Sequence, residues 1–341
     1  MPNKKRAVTI QDVARTAGVS VSTVSRVLNG KVDVAEETQH RIEAVIGQLG
    51  YTSSLAARSM RSHRTHLIGL IMPDIAFPFA FEIMKGVNQA IAESEYDLLV
   101  YTTGDVHKHD TASREQHYVS LLNNSITDGV ILVAPVATEF SSDAPIVSVD
   151  HLAMRPSFPS IHATNYEGAK EAAQYLIGLG HRRIGFISGR AELISSRKRT
   201  EGYRDALAEA GILDESLIAT GDYTTRVGVE CAHCLLSMPN PPTAIFASND
   251  QTAIGVYEAA RERGLSIPED LSVVGFDNIP EAAYLDLTTV DQFIAEMSYK
   301  AANILISLIE GQTVEPLIQE VPTRLVVRKS CRQLVPVPIT G

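Results

Sequence analysis

No apolar run in this 341-residue chain approaches the ~18 residues that a membrane span needs. The opening MPNKKRAVTIQD lacks the apolar stretch of a signal peptide. The expectation is a soluble, non-secreted protein. Cysteine is scarce, with three residues and no framework spacing, which points to a reducing cytoplasm. Low-complexity tracts, short repeats, Gly-rich phosphate loops and nucleophile elbows are all missing. Cys231-Ala-His-Cys234 has C-x-x-C spacing, but no second Cys/His pair lies nearby to complete a tetrahedral metal site. Its surroundings read as an amphipathic helix with buried thiols. His107 and His109 read as part of a solvated loop. No metal, cofactor or catalytic residue is therefore expected. What remains, 45% apolar and 21% charged, is the profile of a globular protein of two or three domains.

The charge is unevenly spread. Residues 1–66 hold ten Lys/Arg against five Asp/Glu, a net +5, which leaves −15 on the rest of a chain totalling −10. A small basic head on an acidic body is the asymmetry of a DNA-binding module joined to something else. Residues 1–50 read as three helices. Thr9 and Asp12 form a capping box opening the first, Ile10 to Ala17, with Val13 and Ala17 inward and Gly18 as its stop. Ser20 caps the second, Val21 to Leu28, whose Val24, Val27 and Leu28 form the apolar stripe. The third, Glu36 to Leu49, buries Ile42, Val45, Ile46 and Leu49 and ends at Gly50. Residues 51–66 are small, polar and basic, a linker with helix-forming potential around Leu55 to Met60.

From Leu67 onward, short apolar runs alternate with helical patterns. The runs are Leu67–Ile71, Leu98–Tyr101, Val130–Val133, Ile146–Val149, Ile184–Ile187, Ala244–Phe246 and Val273–Val274. Helices are expected at Phe81–Ser94, Glu167–Leu179, Thr200–Ala210, Thr252–Arg263 and Ile294–Ile309. This alternation predicts α/β structure: two doubly wound parallel sheets, dividing near residue 163, behind a small all-α head.

The segment Ile10 to Gly30, IQDVARTAGVSVSTVSRVLNG, has the two helices and Gly-containing turn of a helix-turn-helix. The second helix enters the major groove, and its start reaches base edges through Val21 and Ser22. Arg26, one turn on, can make a bidentate contact with guanine. Thr23, Ser25 and Asn29 are short hydrogen-bonding side chains suited to phosphates. In the body, polar residues follow the apolar strands: Asp74, Asp150, Arg190, Asn249-Asp250 and Asp277. Ligands of open α/β sheets bind outside the carboxyl ends of strands, so these groups should converge on one crevice. Carboxylates, an amide and an arginine suit the paired hydroxyls of a sugar, with Phe77 and Phe79 as an apolar wall. Asp250, before a helix, is read as an N-cap.

Thr9 to Gly30 resembles the DNA-binding head of the lactose-repressor/galactose-repressor (LacI/GalR) family of bacterial transcription regulators. The resemblance runs from about residue 8 to 330, through AARSM (56–60), LGHRRIGFISG (179–189), PTAIFASNDQTAIG (242–255), IPEDLSVVGFDN (267–278) and LTTVDQ (287–292). It implies a head (1–50), a hinge helix and linker (51–66), a core (67–330) like type I periplasmic binding proteins, and a tail (331–341). The core's N-subdomain would span about 67–163 plus 294–318, and its C-subdomain about 164–291 plus 319–330. It also implies that Ala57 and Met60 of the hinge meet the minor groove, Met60 as a wedge in place of leucine. Asp74, Phe79, Asp150, Arg199, Asn249, Asp277 and Gln292 would touch the effector. Four further departures stand out. Ser53-Ser54 replaces Pro-Asn, and Ala35 replaces a serine cap at a cost of about 1 kcal/mol. Phe77-Pro78-Phe79 in place of Asn-Pro-Phe and Thr164 in place of an aspartate should both reshape the pocket. The function implied is a non-enzymatic, cytoplasmic repressor of carbohydrate genes. It would act as a homodimer on double-stranded, pseudo-palindromic operator DNA, modulated by a small sugar. No leucine heptads mark the C-terminal tail as a tetramerising one. The alternative is a sugar-binding or sugar-processing protein, which leaves the basic head unexplained.

Overall fold

The computed structural model describes residues 8–28, 34–50, 64–104, 110–123, 126–151 and 157–334. The chain divides into two compact units, residues 1–65 and 66–341.

The first unit contains helices α1 (Ile10–Ala17), α2 (Val21–Leu28) and α3 (Glu36–Leu49). All three bounds are those expected from caps and periodicity. The Thr9–Asp12 capping box forms in both directions: Asp12 N–H donates to Thr9 Oγ1 at 3.3 Å and Thr9 N–H to Asp12 Oδ2 at 3.0 Å. Gly18 and Gly50 end α1 and α3 at φ 66° and 61°, a left-handed conformation that a side chain resists. Ala35, in contrast, offers α3 no side-chain cap. Val13, Ala14, Ala17, Val24, Ile42 and Val45 close the small core, while Val27, Leu28, Ile46 and Leu49 pack partly buried against it.

The second unit holds two six-stranded sheets. The first contains β1 (Leu67–Met72), β2 (Asp97–Thr102), β3 (Gly129–Val133), β4 (Ile146–Val149), β5 (Ser160–Ala163) and β11 (Ile318–Val321), in the order β11-β5-β4-β3-β1-β2, all parallel. The second contains β6 (Ile184–Ile187), β7 (Ile218–Ala219), β8 (Ala244–Ala247), β9 (Ser272–Asp277), β10 (Thr288–Asp291) and β12 (Arg324–Val326). Its order is β12-β10-β9-β8-β6-β7, parallel except for antiparallel β12. The central strands of both sheets are buried along their whole length, because helices cover both faces.

On the first sheet α4 (Pro78–Ala92) and α11 (Ile294–Ile309) cover one face, burying Ile83, Val87, Met297 and Leu305 against Ile68, Leu70 and Ile131. Helix α5 (Thr111–Leu122) covers the other, with Val119 and Leu122 against Ile71, Val130 and Leu132. On the second sheet α6 (Asn165–Gly178) and α7 (Ile194–Glu209) bury Leu176, Tyr203 and Leu207 against Phe186, Phe246 and Phe276. Helices α8 (Thr225–Leu236) and α9 (Asp250–Glu262) cover its opposite face, and the short α10 (Pro280–Tyr284) follows β9. The chain crosses between the subdomains at residues 164, 292–293 and 322–323.

Several expectations need correction. Helix α7 starts at Ile194, six residues before Thr200, because the polar run SSRKR sits on buried Ser195, Ser196 and Arg199 rather than on apolar residues. Residues 319–321 belong to the N-subdomain, since β11 pairs with β5. Asp250 is not the cap of α9; Asn249 is, accepting from Thr252 N–H at 2.9 Å. Asp250 is fully buried and braces two strand ends, accepting from Ile279 N–H at 3.0 Å and Thr289 Oγ1 at 2.6 Å. Cys231 is half-buried and Cys234 exposed, not two buried thiols. Among the described residues, no helix is long and apolar enough to cross a membrane.

Candidate functional site

In the head, packing of Val24 into the core turns the opposite side of α2 outward. Val21, Ser22 and Arg26 are exposed, and Thr23 and Ser25 are half-buried. Val21, at the start of the helix, is 42% accessible, apolar surface that suits contact with a base edge. Ser20 Oγ lies 2.6 Å from Ser22 Oγ and 2.8 Å from Thr23 Oγ1, and accepts from Thr23 N–H at 3.1 Å, so three hydroxyls gather at the first turn. Asn29, Ala57 and Met60 lie outside the described residues, as do His107 and His109.

In the core, the carboxyl ends of both sheets face a cleft of about 130 Å³. All seven positions named from the resemblance line it: Asp74, Phe79, Asp150, Arg199, Asn249, Asp277 and Gln292. Phe77 and Arg190, singled out by their places after strands, line it as well. Thr164 does not; its hydroxyl accepts from Thr323 N–H at 2.8 Å, so this departure acts on a crossover between subdomains. Its neighbour Asn165 matters more directly, because Asn165 Oδ1 accepts from Arg199 Nε at 2.8 Å.

Arg199 organises the C-subdomain's side of the cleft. Besides Asn165, its Nη1 donates to Ser248 O at 2.6 Å and Asp277 Oδ1 at 3.2 Å, and its Nη2 to Gln292 Oε1 at 3.3 Å. Gln292 Nε2 closes the ring by donating to Asp277 Oδ1 at 2.5 Å. The guanidinium lies 3.7 Å from the centre of the Phe276 ring, which adds a cation–π contact to a buried ion pair. Burial pushes the Asp277 carboxyl up to about 6, against the opposing pull of Arg199, and Asp150 pushes it further. Asp277 itself sits at φ 108°, a conformation costly for a residue with a side chain. The strain persists because Arg199 and Gln292 hold its carboxylate.

The N-subdomain contributes differently. Phe77, Phe79, Met72 and Ala134 form an apolar wall. Asp74 Oδ1 accepts from Ala76 N–H at 2.9 Å, an Asx turn before α4. Asp150 follows β4 at φ 57°, and its Oδ1 is out of contact with solvent and, among the described residues, without a hydrogen-bond partner.

Sequence reasoning missed Tyr223, Leu193, Ser195 and Ile279, which also line the cleft. Tyr223 follows β7, a two-residue strand with no readable apolar run, and stands at φ 74° with its ring against Gly189. Burial raises its phenol pKa. A β-carbon at position 189 would collide with that ring, so Gly189 was the available signal.

Comparison with known proteins identifies both units of the chain. Residues 9–54 match the model of the lacI family of bacterial regulatory proteins, and residues 173–331 that of a periplasmic binding protein-like domain. Catabolite control protein A of Priestia megaterium is 33% identical over 95% of this chain and 99% of its own length. The transcriptional repressor CytR of Escherichia coli is 33% identical over 97% and 98%. Among solved structures, the lac repressor dimer bound to operator and the anti-inducer ONPF superposes with a TM-score of 0.83 at 25% identity, over 96% of this chain and all of that one. The transcriptional regulator CelR in complex with cellobiose gives 0.68 at 30% identity, over 95% and 99%. These relatives are regulators rather than enzymes, which removes the sugar-processing alternative. With a lacI-type head, a two-sheet core and relatives matched from end to end, the chain belongs to the lacI family of bacterial transcription regulators.

Proposed function

We propose that this regulator is a repressor of carbohydrate-utilisation genes. It binds a pseudo-palindromic operator as a homodimer and senses a sugar in the cleft between its subdomains. The observation that carries the reading is the convergence of Asp74, Phe79, Asp150, Arg199, Asn249, Asp277 and Gln292 from both subdomains on one cavity. The cleft, about 130 Å³ and lined from both sides, suits a small ligand rather than a macromolecule. Polar groups around an apolar face suit a ring with hydroxyls on its rim. A ligand touching both subdomains stabilises one arrangement of them over another, and that difference is what an effector transmits. A two-fold dimer is needed because one head covers one half-site. Exposed Phe81 and Tyr284 supply apolar surface for such an interface.

On DNA, Val21, Ser22 and Arg26 face the base edges, Thr23, Ser25 and Asn29 the phosphates, and Ala57 and Met60 the minor groove. Arg26→Ala tests the DNA half of the reading. It should cost about 1–3 kcal/mol at one guanine per half-site and relax preference there, measured by titration of operators carrying each base at that position. Uniform weakening over all four bases would reduce Arg26 to a phosphate contact.

A further inference from the structure

Resting on the effector reading above, we infer that the cleft sorts its ligands by charge. A sugar ring bearing an amino group binds tightest, its neutral parent next, and a ring bearing a carboxylate or phosphate is rejected.

The charges on the cleft wall do not cancel. Two cations line it, Arg190 and Arg199, and both are committed. Arg199 pairs with Asp277 at 3.2 Å, and Arg190 donates through Nε and Nη2 to Glu192 at 3.1 and 3.0 Å. That leaves the carboxylates of Asp74 and Asp150, neither of which has a cation within ion-pair distance among the described residues. The charge of Asp150 reaches Asp277 as well, so like charges crowd one end of the cavity.

The hydrogen bonds around the two carboxylates add to this. Four of the five guanidinium N–H groups of Arg199 are used within the protein. Asn249 spends one N–H on Tyr223 O and its oxygen on Thr252 N–H. Other donors remain at the cleft, among them the buried Tyr223 hydroxyl and the N–H groups of Arg190 not spent on Glu192. Acceptors are open: among the described residues, Asp150 Oδ1 has no partner and Asp74 accepts through Oδ1 alone. A buried acceptor left unmet is costly, and an ionised one more so. The complementary ligand is rich in donors and supplies positive charge. An anionic ring would bring more negative charge to a site whose three carboxylates already outnumber its two cations.

The test is calorimetric titration of the full-length protein at pH 7 with aldohexoses and aldopentoses, each as parent, amino sugar and acid (uronate and phosphate). Within the series of any ring that binds, the amino form should bind about tenfold tighter than its parent and the acid at least tenfold weaker. Asp150→Asn should shrink the amino-to-parent ratio to about threefold. Because asparagine tolerates the left-handed conformation of position 150, the melting temperature should hold. An acid that binds as tightly as its parent overturns the charge ranking while leaving the sugar reading intact. So does an amino preference that stays about tenfold in Asp150→Asn. If no ring binds in any form, the sugar reading falls and the ranking with it.

Discussion

The two walls of the cleft are built on opposite plans. The C-subdomain presents a polar network already satisfied within itself: Arg199, Asp277, Gln292 and Asn165 are 4–7% exposed and bonded to one another. The N-subdomain presents phenylalanine rings and two carboxylates without ion pairs, Asp74 and Asp150. The first wall holds its geometry whether or not a ligand is present, so a ligand pays little to order it. The second leaves hydrogen-bonding capacity open to a ligand. The difference between the walls gives an effector its leverage: docked on the rigid wall, it gains the remaining contacts only when the other wall closes on it. Substitutions on the C-subdomain wall should therefore disturb both fold and sensing, and those on the N-subdomain wall sensing alone.

Arg199→Ala should give the largest effect. It leaves Asp277 buried and unpaired and removes donors from Asn165, Gln292 and Ser248 O. Breaking one partner of such a pair costs about 3–5 kcal/mol. Urea unfolding should show that loss, while operator titration with effector should need at least about a hundredfold more ligand. Arg199→Lys keeps the charge without the fork and should recover only part of either loss. Wild-type stability in the alanine variant would mean that the network is not a unit, and the contrast between the walls would dissolve.

The charge state of Asp277 sharpens the same contrast. Its carboxyl is raised from 3.8 to about 6 in the folded protein. Between those pH values the native state holds a proton that the unfolded chain has released. This group's contribution to stability therefore falls as pH rises through the window, by up to about 1.4 kcal/mol per pH unit, and levels off above it. Burial raises Glu115 and Asp250 as well, so it is the difference between wild type and Asp277→Asn that isolates the effect. Unfolding free energies from pH 4 to 8 should show wild type losing ground to the variant up to about pH 6 and running parallel beyond. Parallel curves throughout would show that burial does not strain this carboxyl.

How far the sequence carried this architecture depends on the range of the interactions. The head was legible to the residue, because Thr9, Asp12, Gly18 and Gly50 act on helix ends within a few positions of themselves. So was α11, Ile294–Ile309, whose apolar stripe is continuous. Helix α7 was read six residues short because its first turns pack through polar side chains. Strands β7 and β12 are too short to show an alternating pattern. At the site, the residues after strands were visible as a pattern, but the Arg199 network joins partners 34 to 93 positions apart. No local signal encodes that pairing; the family resemblance supplied Arg199 and Gln292. Asp250 was mistaken for a cap because a cap and a buried brace look alike one residue apart.

The smallest effect tests the N-subdomain wall. Asp74 lies in the turn after β1, half-buried, and its Oδ1 accepts from Ala76 N–H. Asparagine makes the same Asx turn with its own oxygen, so Asp74→Asn keeps the local backbone and removes only the charge. Unfolding free energy should stay within about 0.5 kcal/mol of wild type, as for substitutions away from packed or paired sites. Sensing should still change. Hydrogen bonds to charged groups contribute about 1 kcal/mol more than neutral ones, so the effector concentration that half-releases the operator should rise about fivefold. Operator affinity without effector should be unaltered, since residues 1–61 hold the DNA in the proposed reading. A stability loss above about 1 kcal/mol would show that this carboxylate supports the fold as Asp277 does. The N-subdomain wall would then be a second rigid face, and closure against an unmet surface would no longer explain how the ligand acts.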